Sequence, residues 1–375
     1  MNTDELLLNP ICHPEDLGRP IPASVHAVSM ALPRWQDVVG YEEKKPEVMN
    51  RLTTGYPRFF THALVRQLGR ELGGGPPCLP FPSLRVAEQC LAFMRRSAGE
   101  PAFRVERRGL HGVVTTPQGE ATLRAFWQHA GWIVSSRQAE AHLNGQPENP
   151  DGPAIRQSLR RQLAGFYDCA ETDVFLTPTG MAAQCAALQA TLCRTPGKPT
   201  VQLGFPYVDT LKLQQKLGHS ATLLHDLNHL DAGLRDLLGR QTLAAGFCEI
   251  PGNPLLGSAD LRSITPILRE HGVPLVADDV VATPFNVDLR LHADLIATSL
   301  TKYMAGTGDV MGGAVICNPR SPYAAELKGH LQSQHEELLW AGDAAVLDAQ
   351  ARGCPGRMRR HNANGQLLAE RLRAH

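Results

Sequence analysis

The sequence predicts an α/β protein with a mainly parallel sheet wrapped by helices. From about residue 172, short β-branched or apolar runs alternate with helical stretches: "DVFLT", "TVQLGF", "ATLLH", "AAGFCEI", "VPLVAD" and "ADLIATS". The segment "SADLRSITPILREHG" shows the helical half of the pattern. Ser258 or Asp260 can cap its start, Leu261, Ile264, Ile267 and Leu268 recur at helical spacing, and Gly272 stops it before the next strand. A length of 375 residues with 43% hydrophobic content is enough for a substantial core and for more than one unit.

The first 150 residues show no clean alternation and carry breakers such as "GGGPPCLPFP", so an N-terminal region of irregular structure is expected there. From about Glu336 two further helical stretches follow, "EELLWAGDAAVLDAQARG" and "RMRRHNANGQLLAERLRAH". The second is amphipathic and runs to the last residue, which leads us to expect a missing packing partner.

Composition excludes several function classes. Lysine plus arginine equals aspartate plus glutamate at 37 each, so no global field draws the chain to nucleic acid or to anionic membrane. No apolar run reaches membrane-spanning length, and "MNTDELLLNPICHPEDLG" lacks a basic n-region, so a cytoplasmic location is expected. Nine cysteines without a C-x-x-C pair fit reduced thiols. "GTGDVMGG" has Met311 where a dinucleotide fingerprint needs its third glycine, and "HEELL" has Leu339 where a zinc-protease helix needs its second histidine. Nicotinamide and metal readings both fail.

Lys302 behaves differently. It follows the strand "ADLIATS" at the edge where open α/β sheets bind ligands, and a lysine held there can form a Schiff base with an aldehyde cofactor. Ser299 and Thr301 are spaced to turn hydroxyls toward a phosphate on the same ligand. A solvated loop lysine is the plain alternative. "LTPTGMAAQCAALQA" places Gly180 and Met181 at a helix start whose free N–H groups suit a phosphate, or else Thr179 is simply an ordinary cap. "VPLVADDVVATPFN" ends a strand in Asp278 and Asp279, one of which can keep a pyridinium nitrogen protonated, or they form a turn. Tyr207, after the strand in "GFPYVDTLKL", can stack on a flat cofactor or fill core.

In this order, "EIPGNPLL", "VADDVVATP" and "TSLTKYMAGTGDVMGG" resemble the pyridoxal-phosphate-dependent enzymes of cysteine and methionine metabolism, whose patterns are "ETPSNPLL", "VVDNTFATP" and "HSATKYLGGHSDVMGG". "HAVSMALPRWQDVVGYEE", "GYPRFF" and "FWQHAGWIVSSRQAE" resemble the long-leader, fungal-type cystathionine γ-synthase branch. The resemblance implies a fold-type-I (aspartate aminotransferase-like) large domain over 151–350, an N-terminal leader with a trans-acting arm over 1–150, and at 351–375 the start of a C-terminal small domain that is mostly absent. It implies pyridoxal 5'-phosphate as cofactor, Lys302 as Schiff-base lysine and proton shuttle, Asp278 as partner of the ring nitrogen, and Tyr207 as stacking ring. Gly180, Met181, Ser299 and Thr301 would hold the phosphate, and Asn253 would lie beside the phenolic oxygen or the substrate carboxylate. The family's Tyr-Ser-Arg phosphate clamp reads "SSR" here, so Arg137 keeps its role while Ser135 replaces the tyrosine. The implied reaction is γ-replacement on an O-acyl-homoserine by cysteine or another thiol, as in transsulfuration and methionine biosynthesis. A γ-lyase, a sulfhydrylase and a catalytically impaired cofactor-binding remnant are the alternatives. A homodimer or homotetramer is implied by the arm, and impaired turnover is expected if the carboxylate-binding arginine of the C-terminal domain is lacking.

Overall fold

The computed structural model describes residues 10–97 and 99–375, so the first nine residues of the acidic N-terminus lie outside the described part. The chain divides into two units. One comprises the residues up to Gln128 with Ile133–Glu148 and Thr307–Met311; the other comprises His129–Trp132, Asn149–Gly306 and Gly312–His375.

The first unit is more regular than its breaker-rich sequence suggests. Strands β1 (Cys78–Phe81), β2 (Ala102–Arg107) and β3 (Leu110–Thr115) form an antiparallel sheet in the order β1-β3-β2. The helix Ala63–Gly73 ends on Gly74 at φ +67°, and β1 begins four residues later inside the "GGGPPCLPFP" run. Pro80 is tolerated in β1 because this is an edge strand, where a missing N–H costs no ladder bond. Central β3 is buried along its whole length, and Phe81 meets Phe126 and Trp127 edge-on with ring centroids 5.8 Å apart.

The second unit contains the predicted sheet. β4 (Val174–Thr177), β5 (Thr200–Leu203), β6 (Ala221–Leu224), β7 (Ala245–Glu249), β8 (Leu275–Asp278) and β9 (Leu295–Ser299) fall within the six expected runs. A seventh strand, β10 (Gly313–Cys317), was hidden behind the glycines of "DVMGGAVIC". The order is β4-β10-β9-β8-β7-β5-β6, parallel from β9 to β6, with β10 antiparallel to both β4 and β9. β10 approaches β4 so closely that a Cβ on Gly313 would stand 2.3 Å from the Thr179 carbonyl oxygen. Only glycine fits there. β4, β5, β7 and β10 are buried throughout, as strands covered on both faces should be, whereas edge strand β6 is partly exposed. Asp260 is the cap of the Leu261–Glu270 helix, accepting from the Arg262 N–H, and Gly272 at φ +67° ends the turn that follows. Leu261, Ile264, Ile267 and Leu268 are all buried. This topology brings the C-terminal ends of β4, β5, β7, β8 and β9 to one edge of the sheet.

Candidate functional site

That edge has two halves. In the first, Thr179 caps the Gly180–Arg194 helix, its hydroxyl accepting from Ala182 N–H at 3.0 Å and donating to the Gly131 carbonyl at 2.9 Å. Gly180 sits at the helix start against β9, where an added Cβ would be 2.6 Å from Ser299 Cβ. The Ser299 hydroxyl is buried and makes no hydrogen bond among the described residues. Such a group normally costs free energy, so its position beside a helix start, where the first N–H groups lack acceptors within the helix, is informative. The Thr301 hydroxyl is engaged differently: it accepts from Gly312 N–H at 3.2 Å and faces the Gly312 carbonyl at 3.4 Å, tying the turn after β9 to the entry of β10. Met181 is buried within the helix start. Lys302 stands exposed on the turn leaving β9, its carbonyl accepting from Gly306 N–H at 2.8 Å.

The second half is built from titratable groups. Asp278 ends β8, and in parallel register its neighbour on β7 is Glu249. The Asp278 carboxylate accepts from Val280 N–H and from Gln184 Nε2, both at 2.9 Å. Burial, and after it the negative charge of Glu249, pushes the Asp278 carboxyl up to about 8. Burial also raises Glu249, moderated by the backbone N–H groups of Tyr207 and Asn253. Asp279 points the other way. It is 1% exposed and accepts from the Tyr167 hydroxyl at 2.9 Å, so it serves the core behind the sheet. Tyr207 precedes the Val208–Leu217 helix, half-buried, with its N–H bonded to Glu249 at 2.9 Å and its hydroxyl 3.4 Å from Asp209. Asn253 lies on the exposed loop after β7.

Arg137 belongs to the first unit. There it heads the Ser136–Leu143 helix and donates to the Asp309 carbonyl at 2.6 Å, while Ser135 caps that helix by accepting from Gln138 N–H at 3.1 Å. The topology therefore collects Gly180, Met181, Tyr207, Asn253, Asp278, Ser299, Thr301 and Lys302 at one sheet edge and leaves Arg137 in the other unit. Sequence reasoning missed Glu249 and Gln184. Glu249 carried a legible signal, an acid closing a strand just before a breaker, as Asp278 does. Gln184 lies one helical turn after Gly180, which puts it on the same face.

These residues fit an anionic, flat, cationic-ring cofactor. The orphaned Ser299 hydroxyl and the helix start suit a phosphate, and the Gly180 approach keeps that cradle free of a side chain. Asp278 has hydrogen bonds but is destabilised as an anion, the state a protonated ring nitrogen would relieve.

Residues 132–375 match the Cys/Met metabolism PLP-dependent enzyme family, and residues 58–135 match the N-terminal domain of the fungal trans-sulfuration enzymes. The chain belongs to this pyridoxal-phosphate-dependent family. It is 28% identical to the cystathionine gamma-synthase of Neurospora crassa, across 96% of this chain and 80% of that protein. It is 33% identical to the L-2-amino-4-chloropent-4-enoate dechlorinase/desaturase of Streptantibioticus cattleyicolor, across 94% of this chain and 74% of that one. Among solved structures, the cystathionine gamma synthase of Xanthomonas oryzae pv. oryzae in complex with aminoacrylate and cysteine shares 30% identity at a TM-score of 0.50. That match covers 59% of this chain and 56% of the solved chain. The family's α/β fold, with its mainly parallel sheet, is the fold described above. No helix among the described residues is long and apolar enough to cross a membrane.

Proposed function

We propose that the chain acts on a 2-amino acid bearing a leaving group at its γ-carbon and replaces that group with the sulfur of a thiol, as a cystathionine γ-synthase does with an O-acyl-homoserine and cysteine. The observation that carries the reading is the Asp278 carboxyl, buried beside Glu249 at the strand edge that also holds Lys302. When bound, the cofactor supplies an electron sink conjugated to the substrate's α-carbon. Asp278 holds the ring nitrogen cationic, which keeps that sink open. The Tyr207 ring would stack on the cofactor and exclude water from it. The Gly180 and Met181 amides and the Ser299 hydroxyl would hold the phosphate, Thr301 would fix the turn beside it, and Asn253 would serve the phenolic oxygen or the substrate carboxylate. The Lys302 amine takes the α-proton and returns protons to neighbouring carbons, so that the Cγ–O bond breaks, the Cγ–S bond forms and the acyl group leaves as a carboxylic acid. Arg137 clamps the phosphate of a second copy in a homodimer or homotetramer, exchanging Asp309 for that anion.

A second reading has one specific support. The Streptantibioticus relative is named for removing chlorine from position 4 of a 2-amino acid. Loss of a γ-leaving group without thiol capture would make this chain a γ-lyase. Product analysis separates the two: with pyridoxal phosphate, O-succinyl-, O-acetyl- or O-phospho-homoserine and cysteine, the first reading gives cystathionine in proportion to cysteine. A 2-oxo acid and ammonia at a rate indifferent to cysteine would reject it in favour of elimination.

A further inference from the structure

Tyr207 is tied to a buried contact between a carboxylate and a histidine that a distant segment brings in. Its hydroxyl lies 3.4 Å from Asp209 Oδ2, and the other oxygen of that carboxylate lies 3.4 Å from Nδ1 of His129. His129 is 5% exposed and Asp209 1%. A carboxylate so far from water costs several kcal/mol unless paired, and the Tyr207 hydroxyl at that length is a weak partner. The histidine stands at the carboxylate's other oxygen. Its Nδ1 is buried, forms no hydrogen bond among the described residues and faces the Asp209 carboxylate. An acid in the first turn of the Val208–Leu217 helix is favoured by the helix dipole, but that effect accounts neither for the burial of Asp209 nor for a histidine brought to it from elsewhere in the chain.

The segment that delivers His129 is fixed at a second point. Gly131, two residues on, adopts φ +72°, and its carbonyl accepts the hydroxyl of Thr179, the cap of the phosphate-side helix. A Cβ there would stand 2.6 Å from Ala182 N, so glycine alone allows the approach. The four residues His129–Trp132 thus contact both halves of the edge while the unit's main stretch starts only at Asn149.

We propose that His129 is a positioning residue for Tyr207, acting through the buried carboxylate of Asp209. The inference rests on the reading of Tyr207 as the ring that lies against the cofactor, and it adds a histidine to the supports of that ring. The test has two arms. In the first, the ring carbons of the chain's six tyrosines are labelled with ¹³C and observed by NMR in protein without cofactor, with Tyr207→Phe assigning the signal. His129→Ala is expected to shift the Tyr207 signal, and the shift should vanish when Asp209→Ala is already present, because the effect passes through that carboxylate. A shift of equal size in both backgrounds, or none in either, would overturn the proposal. His129→Gln, which preserves a polar donor, keeps the test usable if the alanine variant does not fold, and it should move the signal less. In the second arm, pyridoxal phosphate is titrated into each variant that folds. His129→Ala should weaken binding by about tenfold, the scale of one hydrogen bond to a charged group, with partial recovery in His129→Gln. Unchanged affinity in His129→Ala would also overturn it. If wild-type protein fails to bind pyridoxal phosphate, the functional reading falls, while the NMR arm still decides the coupling of His129 to Tyr207.

Discussion

The two halves of the sheet edge use different physics. Around Gly180 and Ser299 the site is made by close packing: a glycine without room for a Cβ, a capped helix start and a hydroxyl left without a partner. Around Asp278, Glu249 and Tyr207 it is made by charge, with two carboxyls at adjacent strand ends and each raised by burial. The packed half should therefore fail when atoms are added and be indifferent to pH. The charged half should fail when a charge is removed and respond to pH throughout. Substitutions on either side put that contrast at risk.

The largest effect is expected at Asp278. Under the proposed role, Asp278→Asn removes the carboxylate that would hold a cationic ring at the end of β8, at a cost of about 2–5 kcal/mol, or about thirtyfold to several thousandfold in turnover. Asp279→Asn should cost little, since an asparagine oxygen can still accept from Tyr167. Steady-state rates of the two variants side by side check this, and equal losses would show that the two aspartates had been assigned wrongly.

Gly180→Ala comes next. The new methyl would press on Ser299, whose Cα is 3.0 Å and Cβ 2.6 Å from it, so overpacking should cost about 1–3 kcal/mol of stability and weaken cofactor binding. A thermal melt with a cofactor titration reads both. Tolerance without loss of either would mean that the glycine is not there for space.

The charged half should also give a pH signature without cofactor. Because burial pushes the Asp278 carboxyl up to about 8 in the folded chain while an unfolded chain leaves it at the ordinary carboxylate value, the folded state binds the extra proton between those limits. Stability should then fall as pH rises from about 4 to about 8. Asp278→Asn should show a shallower fall over the same window, the remainder coming from Glu249, Asp279 and Asp294, which burial also raises. Denaturant melts across that window measure the slope, and identical slopes in wild type and variant would contradict the assignment.

Ser299→Ala is the smallest change and the one with opposite signs. Removing a buried hydroxyl without a hydrogen bond should leave the cofactor-free protein as stable or slightly more so, while cofactor affinity drops by about fivefold, one ordinary hydrogen bond. Isothermal titration beside a melt resolves the two. A loss of stability with unchanged affinity would assign the hydroxyl to the core.

The contrast also explains what the sequence revealed. Six strands, the Thr179 and Asp260 caps and the residues closing each strand were legible because each depends on local pattern: apolar runs, a capping residue, a breaker. β10 was not, because its glycines, required by the approach to Thr179, look like loop in one dimension. The antiparallel sheet of the first unit was missed because its edge strand runs through a proline. Glu249, Gln184 and His129 escaped for another reason. Each becomes part of the site only through register or through packing of remote segments, and no short-range pattern records that.

The central claim, that this edge carries pyridoxal phosphate on Lys302, has a direct test. Protein mixed with the cofactor is reduced with borohydride, digested and mapped by mass spectrometry. The account predicts a pyridoxyl group on Lys302, abolished by Lys302→Ala and weakened by Asp278→Asn. A pyridoxyl group on any other lysine, with Lys302 unmodified, would contradict it.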